Sequence, residues 1–303
     1  METSSLSIIG RNITNAYYDF QQVRIASMNR VRDVIRKLVD GIKFDEVETK
    51  KEKKEYKKKY TDKELLSKLN KLLTDDKILA EEHEYVMECW DIMQDSKKLE
   101  KKFQKAMETF ISKEAVYNEF LSKIRGIAEI LSANLIKEFG DCSKYDTVSK
   151  LWAHTGNGVI DGIAPKRKKG ETLSFSPRLK TLTWKLSDSL MKQNKGVYRG
   201  IYLKEKEKQL NREYEVGYLH EKYPEKKKNG KDVYPESTTQ LILGHAHNRA
   251  LRKMRKIFLD HYWNASRELN GLPTEKNYVE GVLNHSHIIT WREAIEKEGT
   301  LKK

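Results

Sequence analysis

Ile124-Arg125-Gly126-Ile127-Ala128-Glu129-Ile130-Leu131-Ser132-Ala133-Asn134-Leu135-Ile136 is the stretch whose reading decides the fold. Apolar residues flank a single glycine, and the stretch reads as two helices meeting at a tight turn. That is the pattern of a helix-hairpin-helix. Amide N–H groups are free at a helix N-terminus, and the helix dipole favours an anion there. Arg125 and Gly126 are therefore candidate phosphate contacts. Packing is an equal explanation of the glycine, because Ala128 stands where the motif usually has a second one.

The composition around the hairpin points the same way. The chain has 303 residues, with 59 Lys and Arg against 45 Asp and Glu and a net charge of +14. Such an excess suits a phosphate polyanion or an anionic membrane surface. No apolar run approaches the roughly 20 residues that span a bilayer. Met1-Glu2-Thr3-Ser4-Ser5 lacks the basic start and apolar core of a signal peptide. The 2 cysteines, Cys89 and Cys142, are few for this length and suggest a reducing compartment, the cytoplasm of a prokaryote or of a virus-infected cell.

Periodicity predicts a mainly α chain in three parts: a helical coiled-coil region at 1–115, a nucleic-acid-binding domain at 116–272, and a tail at 273–303. The first helix is expected to start at Asn12 or Thr14 and to run to Asp40, ended by Gly41. The lysine-rich run at 50–59 reads as a solvated or mobile segment. Thr61 and Glu64 form a capping box before an expected apolar face of Leu65, Leu66, Leu69, Leu72 and Leu73. Leu79, His83, Val86, Trp90, Met93, Phe103, Met107 and Phe110 approximate a heptad seam. Paired with the first helix or with another copy of the chain, it makes a coiled coil, and a homodimer is the expected assembly. Further on, Phe139-Gly140-Asp141 closes a helix, and Asp146 or Thr147 caps the next. Ser176-Pro177 opens another helix, with serine as cap and proline in the first turn. Residues 204–236 read as a helix tail and a loop. A last long helix covers about 239–269.

Three cationic groups stand out. Lys166, Arg167, Lys168 and Lys169 occupy a loop. Arg178, Lys180 and Lys185 lie near the start of the Ser176 helix. Arg249, Arg252, Lys253 and Lys256 share one face of the last long helix, with no acidic residue between His245 and Leu259. Such a face is shaped to lie along a phosphate backbone; an ordinary solvated face is the alternative. Trp152, Trp184, Tyr198 and Tyr202 are candidate stacking residues, with core packing the alternative for the tryptophans. His245/His247 and His285/His287 lack an adjacent carboxylate, and residues two apart on a helix, as in the first pair, point in nearly opposite directions, so no metal site is assigned. No apolar strand ends in Asp as a two-metal nuclease requires. Ser174 and Ser176 have no evident base. No catalytic residue and no cofactor are assigned.

The order of these motifs resembles the C-terminal domain of bridge-RNA-guided insertion-sequence transposases. The resemblance rests on the Gly126 hairpin, Glu138-Phe139-Gly140-Asp141, Leu151-Trp152-Ala153-His154-Thr155-Gly156, Ala164-Pro165 with its basic loop, and Ser176-Pro177-Arg178-Leu179-Lys180. A coiled coil before such a domain is also similar to Nop-domain proteins of guide-RNA particles, and to the related Tas proteins of tandem interspaced guide RNAs. The transposases carry an acidic nuclease domain and a serine before the loop glycine. Here residues 1–120 are helical, and Lys169 precedes Gly170. The resemblance therefore implies a nuclease-less guide-RNA-binding protein of a mobile element or virus, whose DNA target is selected by base pairing. The rivals are an active serine transposase and a non-specific DNA-coating protein.

Overall fold

The computed structural model describes residues 5–41, 60–75, 77–159, 162–167, 170–224, 227–228, 231–274 and 289–302. The basic run at 50–59, the two loop lysines Lys168 and Lys169, and the pair His285/His287 lie outside the described residues. The architecture is mainly α, as the periodicity predicts. The chain divides into two compact units, Met1–Met107 and Glu108–Lys303. The division falls a few residues before the expected one, and the expected tail belongs to the second unit.

The first unit is built from α1 (Ser5–Val34), α2 (Asp62–Thr74) and most of α3 (Ala80–Ile111). Helix α1 starts well before Thr14. The Thr14 hydroxyl donates to the Gly10 carbonyl at 2.6 Å, bonding back along the helix instead of capping it. At its other end, α1 passes into a π-helical turn at Ile35–Val39, and Gly41 follows with φ +68°. The capping box forms: the Glu64 amide donates to the Thr61 hydroxyl, and the Thr61 amide donates to the Glu64 carboxylate at 2.7 Å. Val31 and Ile35 of the first helix pack with Leu65, Leu69 and Leu72 of α2 and with Val86, Trp90 and Met93 of α3. Phe20 stacks on Phe103, and Arg24 pairs with Glu100. The α3 seam is thus satisfied within the chain from Val86 to Met93, while Leu79 at its start is exposed.

The second unit is organised around α10 (Leu243–Leu269), 27 residues and about 40 Å long. Around it pack α4 (Ala115–Glu119), α6 (Val148–His154), α7 (Pro177–Lys192), α8 (Val197–Leu210) and α11 (Trp291–Lys302), while α5 (Glu129–Phe139) packs on α7. Buried Met254, Phe258, Leu259, Tyr262 and Trp263 give α10 its core face. The large polar aromatics are satisfied as burial demands. The Trp263 indole N–H donates to the Tyr145 carbonyl at 2.9 Å, and the Trp152 indole N–H donates to the Lys256 carbonyl at 3.0 Å. Gly140 caps α5 with φ +56°, Thr147 caps α6, and Ser176 caps α7 with Pro177 at the helix start.

The segment 204–236 is more structured than its charge suggests. After α8 come α9 (Tyr218–Lys222) and a two-residue hairpin in which β1 (Lys227–Lys228) pairs antiparallel with β2 (Lys231–Asp232). Leu219, Tyr234, Leu241 and Ala246 form a small core, joined by Leu210, Tyr214, Tyr223 and Val233. Helix α10 starts at Leu243 rather than 239, because the Thr239 carbonyl is taken by the Tyr214 amide at 2.9 Å.

Candidate nucleic-acid interface

The hairpin around Gly126 is a packed corner. Its first arm is short: α4 followed by a 3-10 turn at Leu121–Lys123. Gly126 takes φ +89°, and a Cβ there would meet the Gln193 side chain at 2.9 Å. The Ser189 hydroxyl donates to the Gly126 carbonyl at 2.6 Å. Glu129 occupies the first turn of α5, where its carboxylate already complements the helix dipole. The Arg125 guanidinium donates to the Leu301 carbonyl at 3.4 Å. Between the two readings of Gly126, this geometry is the geometry of packing.

The other cationic groups converge elsewhere. A pocket of about 660 Å³ opens between the glycine-rich loop that follows α6 (Gly156, Gly158 and Gly162), the start of α7 and the first half of α10. Lys166 and Arg167 come from the loop, Lys180 from α7, and Arg249, Arg252 and Arg255 from α10. No carboxylate stands among the described lining residues. Local structure explains the convergence. Gly156 (φ +67°) turns the chain after α6 so tightly that a Cβ would meet Phe175 at 2.9 Å. The Ser176 amide then donates to the His154 carbonyl at 2.9 Å, docking the start of α7 on the end of α6. Lys180 donates to the Pro165 carbonyl at 2.8 Å, with its ammonium 4.2 Å from the centre of the Phe175 ring. That contact ties the basic loop to α7.

The α10 cations divide, because flanking elements cover their shared face. Arg249 is held by the Tyr214 hydroxyl at 2.6 Å, the Tyr223 hydroxyl at 2.7 Å and Gln209 at 2.9 Å. Lys253 turns to Glu205 of α8 at 2.7 Å. Lys256 lies 3.9 Å from the centre of the Trp152 ring. Arg252 makes no hydrogen bond or ion pair among the described residues, and Arg255 donates its Nε–H to the Leu251 carbonyl at 3.2 Å. Burial first, then Arg249, pulls Arg252 below the usual guanidinium range; burial and Arg252 pull Arg255 down to about 10. Lys180 is likewise lowered by burial, then by Arg252 and Arg255. Like charges gathered in a desolvated pocket disfavour one another, and an anion in the pocket would relieve them.

The remaining expected residues lie apart from the pocket. Arg178 pairs with the buried carboxylate of Glu138 at 2.7 Å, and Lys185 is exposed on α7. Of the stacking candidates, Trp152, Tyr198 and Tyr202 are buried, whereas Trp184 lines the pocket with 53 % of its surface exposed. Arg255 and Tyr223 escaped the sequence reading. Arg255 sits three residues after Arg252, as Arg252 does after Arg249, and that spacing was its signal.

The histidines pair with tyrosines: His245 Nδ1 with the Tyr234 hydroxyl at 2.6 Å, and His247 Nδ1 with the Tyr202 hydroxyl at 2.8 Å. No cluster of metal-ligating side chains occurs among the described residues. The Ser176 hydroxyl accepts the Leu179 amide. Cys89 and Cys142 are buried free thiols, and no described helix is long and apolar enough to cross a membrane. A second depression of about 750 Å³, between α8, α10 and α11, is also rich in lysine. Its lysines are exposed, and it contains Glu205, already paired with Lys253. The pocket on α7 and α10, with no carboxylate among its described lining residues, is therefore the better candidate for an anion. Comparison with known protein families, characterised proteins and solved structures finds no match to this chain.

Proposed function

We propose that the second unit binds structured RNA, with the pocket between the glycine-rich loop, α7 and α10 as its principal contact. The observation that carries this reading is the convergence of Lys166, Arg167, Lys180, Arg249, Arg252 and Arg255 without a lining carboxylate, beside an exposed indole. Guanidinium groups suit phosphate oxygens through paired N–H donors, and an open aromatic face suits an unpaired base. The resemblance to bridge-RNA-guided transposases and Tas proteins supplies the finer half of the proposal. The RNA is a guide, pairing selects any DNA target, and cutting, where it occurs, belongs to another protein.

The test is to purify the protein from its native host and sequence what comes with it. A single defined RNA species, encoded beside the gene, is the expected result. Equal retention of any duplex with no RNA would favour a DNA-coating protein. Strand cleavage by the protein and its RNA, lost in Ser174→Ala, would favour an active transposase.

A further inference from the structure

Resting on that RNA reading, we infer that the pocket receives one nucleotide unstacked from the RNA, its phosphate held inside and its base laid on Trp184. Three observations carry this. The first is depth. Arg255 is only 8 % exposed, so a backbone passing over the surface cannot reach it, whereas a phosphate that enters the pocket can. Arg252, with no partner among the described residues, lines the same recess. The second is size. About 660 Å³ lies in the range of pockets that enclose small ligands, and a nucleotide is a ligand of that class. The third is the disposition of chemistry. Trp184 lies one helical turn after Lys180, so an aromatic face and a cation share one side of α7 at the pocket. Lys166 and Arg167, both exposed, stand at the rim, where the neighbouring phosphates of the same strand would pass.

The division of labour follows. Arg252, Arg255 and Lys180 bind the inner phosphate, Trp184 stacks the base, and the rim cations hold the strand on either side. Stacking on an indole tolerates any base, so the pocket reads an unpaired position rather than a letter.

Adenosine 5′-monophosphate, inorganic phosphate and adenosine are the probes, titrated into the full chain by calorimetry and by tryptophan emission. The nucleotide should bind more tightly than phosphate, and adenosine should not bind measurably. Trp184→Ala should weaken the nucleotide about tenfold without affecting phosphate, Trp184→Phe should restore most of the loss, and Arg252→Gln should weaken nucleotide and phosphate alike by tenfold or more. Because Trp184 is exposed, its variants test binding without disturbing the core. Equal affinity for nucleotide and phosphate, or nucleotide binding indifferent to Trp184, overturns the inference. Retention of a folded RNA with no nucleotide binding overturns it and leaves the proposed function standing; loss of both overturns the RNA reading itself.

Discussion

Replacing Arg252 by glutamine should make the protein free of RNA more stable. Arg249, Arg252, Arg255 and Lys180 share a recess without a carboxylate among its described lining residues. Burial and Arg252 bring Arg255 from 12.5 to about 10. Each factor of ten in proton affinity is worth about 1.4 kcal/mol, so the charged form of Arg255 is disfavoured by about 3 kcal/mol. Burial takes the larger share, and repulsion from Arg252 the smaller. The same substitution relieves Lys180 and Lys256, both lowered first by burial and also by Arg252, and it removes the cost of burying Arg252 itself. A gain of about 1–2 kcal/mol corresponds to a rise of about 4 °C in Tm for a unit of this size. The assay is thermal unfolding followed by circular dichroism at low ionic strength, for the parent chain, Arg252→Gln and Arg252→Lys. The lysine variant keeps the charge and should stay near the parent. A Tm that falls in Arg252→Gln would refute the reasoning, because Arg252 would then be a structural cation rather than one held in wait for an anion.

Adjacent buried groups on α10 oppose each other in their response to pH. Burial raises Asp260 to about 7 and lowers His261 to about 4, with the Ile289 carbonyl and Glu293 opposing the latter. Folded Asp260 keeps a proton that the unfolded chain releases, so its contribution falls as pH rises from the usual carboxylate range to about 7. Folded His261 refuses a proton that the unfolded chain accepts, so its contribution rises from about 4 to 6.5. Asp260→Asn should unmask the histidine, and urea stability should then climb between pH 4.5 and 6.5 by about 2–3 kcal/mol, where the parent stays nearly level. A level profile in the variant would refute the assignment. Gly126→Ala should cost about 1–3 kcal/mol by urea unfolding, since it strains φ +89° and drives a Cβ against Gln193. Ser176→Ala should cost about 1 kcal/mol by the same measurement, through loss of the α7 cap.

Local chemistry was legible in the sequence, and long-range covering was not. Thr61 with Glu64, Ser176 with Pro177, and Gly140 each mark a helix end through atoms a few residues apart, and each end lies where these residues place it. Thr14 misled because a threonine hydroxyl can bond backwards along a helix as readily as it caps one. The small core around Leu219 and Tyr234 is invisible in a charged segment, since its aromatics have no regular spacing and meet only when α10 supplies Ala246. At the candidate site, the spacing of Arg249 and Arg252 was readable, but the tyrosines that hold Arg249 and the glutamate that draws Lys253 aside come from elements far away in sequence. Trp184 carries no sequence mark that separates it from the buried Trp152; only the packing of α7 does.

The most direct test is the salt dependence of RNA retention by the chain and by a variant carrying Arg167→Gln, Lys180→Gln and Arg252→Gln, both checked for native helicity. Each phosphate contact to a single strand contributes about 0.7 to the slope of log affinity against log salt, so the variant should bind more weakly and lose about 2 from that slope. An unchanged affinity and an unchanged slope would contradict the assignment of this pocket as the place where RNA is held.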